Sequence, residues 1–145
     1  MKVEQASIPG CPAGTSPADA PNRTEVAILV CRTCRDSAGT EAAPRPGAVL
    51  AEATAALGAK AGVPVVAIDC LGNCKRRLSA AILRRGAWTY VFGDLSASNA
   101  EDLVAGALLL SSSADGLLPW RGRPDCLRRG LVARIPSFDM IGPSQ

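Results

Sequence analysis

Four cysteines fall in two close pairs, Cys31 and Cys34 in CRTC, and Cys70 and Cys74 in CLGNC. Four thiolates at one place can hold a [2Fe–2S] cluster or a tetrahedral zinc ion, and a CxxC alone can serve as a dithiol redox pair. The chain of 145 residues contains no histidine. That excludes Rieske-type ligation, mixed cysteine–histidine zinc sites and catalysis by Ser-His or Cys-His pairs. A metal here must be held by thiolate, with carboxylate as the weaker option.

The pairs become one site only if the elements around them bring them together. Residues 25–31, EVAILVC, form a near-continuous apolar run that predicts a central strand buried on both faces. Residues 35–46, RDSAGTEAAPRP, read as a loop. A helix follows from about Gly47 to Lys60, with Leu50, Ala53, Thr54 and Leu57 on one face and Gly62 closing it. Val63 to Cys70 predicts a second buried strand, with Pro64 tolerable only near its start. Ser79–Leu83 and Ala87–Phe92 read as a hairpin turning at Arg84-Arg85-Gly86. Ser98, with Glu101 three residues on, predicts a capping box opening a helix to about Ser111.

Strand, helix, strand, hairpin and helix make a βαβ unit followed by ββα, a thioredoxin-like α/β arrangement with a four-stranded mixed sheet. In a βαβ unit the strands run parallel, so their carboxyl ends share one edge, about 4.8 Å apart between neighbours. Cys31 and Cys70 are expected to end the two strands, with Cys34 and Cys74 in the loops beyond. The domain expectation is a leader over 1–24, a domain over 25–116, and a basic C-terminal extension over 117–145 packing on the core.

Three chemistries compete for the site: a [2Fe–2S] cluster, cysteine-ligated zinc or another metal, and a thiol oxidoreductase using CRTC. The last needs its reactive cysteine at a helix N-terminus, whereas Cys34 runs into RDSAGTEAAPRP. CLGNC after a strand, followed by a hairpin and helix, resembles the second ligand pair of the thioredoxin-like [2Fe–2S] ferredoxins. The resemblance places Cys70 and Cys74 on that pair. Cys31 and Cys34 match the first pair in position, at a closer spacing than is usual there. CRTCR, CLGNCKR, WTYVFGDL, ADGLLPWRGRP and RRGLVARIP, spanning Ile28 to Pro136, resemble a bacterial family of unknown function. That family is described as predicted metal-binding proteins and is often encoded beside cobalamin or metal-homeostasis genes. Together the resemblances imply a small electron-transfer or redox-sensing ferredoxin. The alternative is a zinc or other metal-binding and delivery module.

Other residues carry weaker signals. Lys75-Arg76-Arg77 follow Cys74. Beside a cluster of charge about −2 oxidised and about −3 reduced they would favour the reduced form, or dock an acidic partner; otherwise they are a solvated loop. Trp88, Tyr90 and Phe92 alternate along a strand, for packing or for shielding a cluster. Asp36 and Asp69 flank the pairs as oxygen ligands, acceptors or plain loop carboxylates. Trp120 to Arg129, WRGRPDCLRR, offers an anion site or a docking strip, with Cys126 as a spare or buried thiol. Cys11 reads as an incidental thiol in the leader. A net charge of +3 and 3% aromatics give no platform for nucleic acid. No acid–base pair or phosphate loop marks a substrate pocket. The opening residues lack a signal peptide's apolar region, and Leu103–Leu110 is too short to span a bilayer, so the expectation is a cytoplasmic protein with a redox or metallocofactor-pathway protein as partner. The oligomeric state stays open, a homodimer included.

Overall fold

A computed structural model describes residues 26–35 and 43–141. The expected leader, Cys11 and Asp36 lie outside the described residues. Among the described residues the architecture is mixed α/β: a five-stranded open mixed sheet with three α-helices. In chain order the elements are β1 (Val26–Cys31), α1 (Pro46–Ala61), β2 (Val65–Ile68), β3 (Ala80–Arg84), β4 (Thr89–Phe92), α2 (Ala100–Ser111), α3 (Asp125–Arg129) and β5 (Leu131–Ile135). Short 3₁₀ turns cover Cys74–Arg76 and Phe138–Ile141.

The sheet order is β2-β1-β3-β4-β5. Only β1 and β2 are parallel, with Cys31 opposite Ile68. The remaining neighbours are antiparallel, and a bulge at Val91/Phe92 lets β5 join β4. The expected sheet had four strands. The fifth comes from RRGLVARIP, where Gly130 stops α3 and the chain turns straight into LVARI.

Helices α1 and α2 pack on each other and on β1, so they cover the same face. Ile28, Val30, Ile82, Leu50, Leu103 and Phe92 form the centre of the core beneath them and are fully buried. The opposite face is less covered: Ala27 and Leu29 are half-buried, and Val66 is 45% exposed. The expectation that β1 is buried on both faces is therefore corrected. Its continuous apolar run reflects small and aliphatic residues on both sides, not two covering layers.

Helix α1 begins at Pro46, whose missing N–H costs nothing in a first turn, and ends at Gly62, left-handed at φ 78° with its N–H on the Gly58 carbonyl. Its buried side is Gly47, Leu50, Ala51, Thr54 and Gly58; the Thr54 hydroxyl donates to the Leu50 carbonyl at 2.6 Å. The capping box at Ser98 does not form. Asn99 holds the cap position of α2 with no side-chain bond to the helix amides, because its Oδ1 accepts the Ser96 N–H at 2.7 Å. Ser98 Oγ is instead bonded to Ser96 Oγ.

Among the described residues, no helix is long and apolar enough to cross a membrane.

Candidate functional site: a four-cysteine cavity

Cys31, the last residue of β1, is held by backbone on both sides. Its N–H donates to the Ser79 carbonyl at 3.0 Å, and the next amide, Arg32, donates to the Ile68 carbonyl at 2.8 Å. CRTC then folds back over the start of α1. The Gly47 N–H donates to the Cys34 carbonyl at 3.0 Å. A methyl group at Gly47 would overlap the Cys31 carbonyl and lie 2.9 Å from the Cys34 nitrogen. Only glycine permits this approach. The first turn of α1 thus seats the CRTC loop although eleven residues separate Cys34 from Pro46 along the chain.

The second pair is placed differently. Strand β2 stops at Ile68, so Cys70 does not end the strand as expected; it lies two residues farther on, in the loop. Asp69 anchors that loop to the first one: its carboxylate pairs with Arg32 at 2.7 Å, and its carbonyl accepts the Thr33 hydroxyl and, at 3.5 Å, the Cys31 thiol. The carboxylate of Asp69 is thus an ion-pair partner, while its backbone is the acceptor that reaches a cysteine. Gly72 N–H donates to Cys70 Sγ at 3.1 Å. Cys74 opens a 3₁₀ turn, and Asn73 Nδ2 ties it down by donating to the Arg76 carbonyl at 3.2 Å and to Ser79 Oγ at 3.0 Å.

All four cysteines line one cavity of about 320 Å³. They line it unequally: Cys31 and Cys34 are 2% and 9% exposed, whereas Cys70 and Cys74 are open to solvent. Thr33, Leu71, Asn73, Arg35, Arg45 and Arg77 complete the wall. No carboxylate among the described residues lines it. As they stand, no three cysteine, aspartate or glutamate side chains among the described residues converge on a point that could hold a single metal ion.

The two buried thiols are shifted in opposite directions. Burial works against the Cys31 thiolate, but bonds from the Cys34 thiol, from the hydroxyl and amide of Thr33 and from the Leu71 amide outweigh it and lower its pKa. Burial, then the bond to Cys31 and the negative charge there, raise the pKa of Cys34. The pair therefore ionises at Cys31 before Cys34. It is a poor candidate for exchange with protein disulfides, since that needs an accessible nucleophile.

Several residues singled out in the sequence lie elsewhere. Of Lys75-Arg76-Arg77 only Arg77 lines the cavity. Arg76 turns away to pair with Asp94 at 2.7 Å and to donate to the carbonyls of Arg129 and Leu131. Tyr90 and Phe92 are core residues, stacked at 6.4 Å between ring centres; Trp88 is half-buried under the Arg134 guanidinium. None of the three lines the cavity, whereas Leu71 does. Arg123 is buried, donates to the Leu118 and Pro119 carbonyls and lies over Tyr90 and Trp120, which makes it a brace for the 118–124 turn. Cys126 stands apart from the cavity and donates to Asp102 Oδ2 on α2 at 3.5 Å. Arg35 and Arg45 were missed: nothing in RDSAGTEAAPRP says that its two ends face a cavity, because the cause is the Gly47 contact.

No curated protein and no solved structure matches the chain. One family does, over residues 28–137, a span that takes in all four cavity cysteines, all of the sheet except Val26 and Ala27, and the braced turn; the chain belongs to the family described as protein of unknown function (DUF1636).

Proposed function

We propose that this protein is a small [2Fe–2S] ferredoxin-like electron-transfer or redox-sensing protein, its cluster held by Cys31, Cys34, Cys70 and Cys74. The observation that carries the reading is the arrangement of four cysteines as two pairs across one cavity of about 320 Å³. A structural zinc ion needs four donors at about 2.3 Å from one centre. A [2Fe–2S] cluster distributes its four thiolates over two irons, which suits two separated pairs and a space larger than one ion fills. Three arginines in the wall offset the charge of such a group, and the Gly72 amide already donates to Cys70. When bound, the cluster supplies one-electron chemistry. The chain supplies a buried anchor in Cys31–Cys34, an exposed side at Cys70–Cys74, and the donors that tune the sulfurs.

The strand order β2-β1-β3-β4, with β1 and β2 parallel and the next two antiparallel, supports a thioredoxin-like core to which β5 is added. The family label offers no activity of its own. Anaerobic purification with iron, acid-labile sulfide and zinc counts tests the reading. The expected result is about two irons and about two sulfides per chain, with visible absorption bleached by dithionite and lost in Cys31→Ser or Cys70→Ser. Stoichiometric zinc without sulfide would overturn it in favour of a zinc-binding or metal-delivery module.

A further inference from the structure

The three helices and the braced turn lie on one side of the sheet. Helices α1 and α2 pack on β1, Leu127 of α3 lies with Ile82 against Gly106 of α2, and the Leu118 N–H donates to Tyr90 Oη at 2.9 Å. The strand register fixes what the other side presents. Val66, Leu29, Ala81, Val91 and Ala133 stand side by side in one row across all five strands. In the next row Ala27 is beside Leu83, and Thr89 beside Ile135. None of these side chains is charged. Ala81 is sunk between its larger neighbours Leu29 and Val91 and is buried, while the two edges stand open, Val66 at 45% and Ile135 at 51% exposed. Among the described residues no helix packs on this side. The strands beneath it are paired to one another, so the face offers apolar contact and almost no hydrogen bonding.

We infer that this face is the contact surface for a second copy of the chain, joined sheet to sheet about a two-fold axis along β3. The order β2-β1-β3-β4-β5 has β3 at its centre. Sheets pack face to face about 10 Å apart with their strands nearly aligned. The axis then stacks β2 on β5 of the second copy and β1 on β4, and every contact occurs twice. Along the row, Val66 meets Ala133 of the second copy, Leu29 meets Val91, and Ala81 and Leu83 meet their own counterparts on the axis. The most exposed side chain of that row thus lies over one of the smallest. A charged row would set like charges against each other in such a pair, and this face has none to set. The row spans about 19 Å from β2 to β5, which is at the small end for a specific interface, so the dimer is weak and depends on concentration. It depends on the sheet alone, whichever group the cysteines hold.

Sedimentation velocity of the full chain in reducing buffer, over a dilution series from micromolar to millimolar, is expected to show monomer giving way to dimer. Added salt is expected to leave the dimer intact, because no charge is there to be screened. Val66→Glu and Ala133→Lys, both at exposed edge positions, are each expected to weaken it about tenfold by burying a charge that has no partner. Combined in one chain they are expected to regain about fivefold, since each new carboxylate then meets the new ammonium of the other copy. Within one chain the two positions are about 19 Å apart, too far to pair. Leu108→Glu puts the same charge on the exposed side of α2 and is expected to change the dimer less than about twofold. Circular dichroism of the dilute variants is expected to match that of the unaltered chain. A protein that stays monomeric at millimolar concentration, as it would with another segment or another protein on this face, would overturn the inference. A dimer that Val66→Glu and Ala133→Lys leave intact, or a double variant no better than the single ones, would overturn the two-fold stacking.

Discussion

Gly47→Ala tests whether the cysteine loop is seated by the helix. A methyl there would overlap the Cys31 carbonyl and stand 2.9 Å and 3.0 Å from the nitrogen and oxygen of Cys34. All three are backbone atoms, so no side chain can rotate away; either the CRTC loop or the first turn of α1 must move. Overpacking of this kind costs about 1–3 kcal/mol. Replacing glycine in a helix returns at most about 1 kcal/mol, and less in a first turn, which leaves a net loss of about 1–2 kcal/mol. Gly58→Ala is the matched control. It clashes with the Val63 carbonyl and the Val65 side chain, both at 2.6 Å, but lies about 16 Å along the same helix from Gly47. Urea melts are expected to show both variants destabilised. Metal content is expected to fall in Gly47→Ala alone, because only its clash displaces Cys31 and Cys34. A Gly47→Ala protein that keeps both its stability and its metal would refute the seating argument, as would equal metal loss in Gly58→Ala.

Two further outcomes follow from side chains outside the cavity. Arg76→Met keeps the aliphatic stem but removes the Asp94 pair and the bonds to the Arg129 and Leu131 carbonyls; because the pair is largely exposed, the loss is expected to be about 1 kcal/mol, and hydrogen exchange should quicken in β5 before β1. Burial, reinforced by the charge of Asp102 and the bond to it, pushes the Cys126 thiol up to about 12. The unfolded chain gives up this proton above about 8.5, so the folded state holds the extra proton in the window between. Stability should therefore fall as pH rises through that window, by at most about 1.4 kcal/mol per pH unit and by less where solvent screens the half-buried site. The slope should be shallower in Cys126→Ala, and identical slopes in the two proteins would contradict it.

The first βαβ unit is legible because its signals are local. Apolar runs lie between Pro46, Gly62 and Pro64, and each of these sits where backbone chemistry allows it. The hairpin is legible for the same reason, with Gly86 at φ 70° in its turn. What was not legible depends on distant contacts. LVARI has only five residues in a Pro-, Gly- and Arg-rich segment, and it is a strand because β4 offers an open edge. Ser98 and Glu101 satisfy a capping pattern that loses to the Ser96–Asn99 bond next to it. Arg76 reads as one of three equivalent cations, and its partners 53 and 55 residues away separate it from Arg77. Placing Cys70 at a strand end failed by two residues, since apolar character runs to Ile68 and pairing with β1 ends there as well.

That two-residue overshoot matters for the chemistry. Had Cys70 ended β2, one cysteine of each pair would sit on the sheet, at the ends of paired parallel strands. Instead Cys31 and Cys34 are fixed by the sheet and by Gly47, while Cys70 and Cys74 ride on an exposed loop held by Asn73, Gly72 and the Asp69 bonds. The same asymmetry gives the site a direction: the Cys31–Cys34 side is closed by the core, and the Cys70–Cys74 side, flanked by Lys75 and Arg77, is open to solvent.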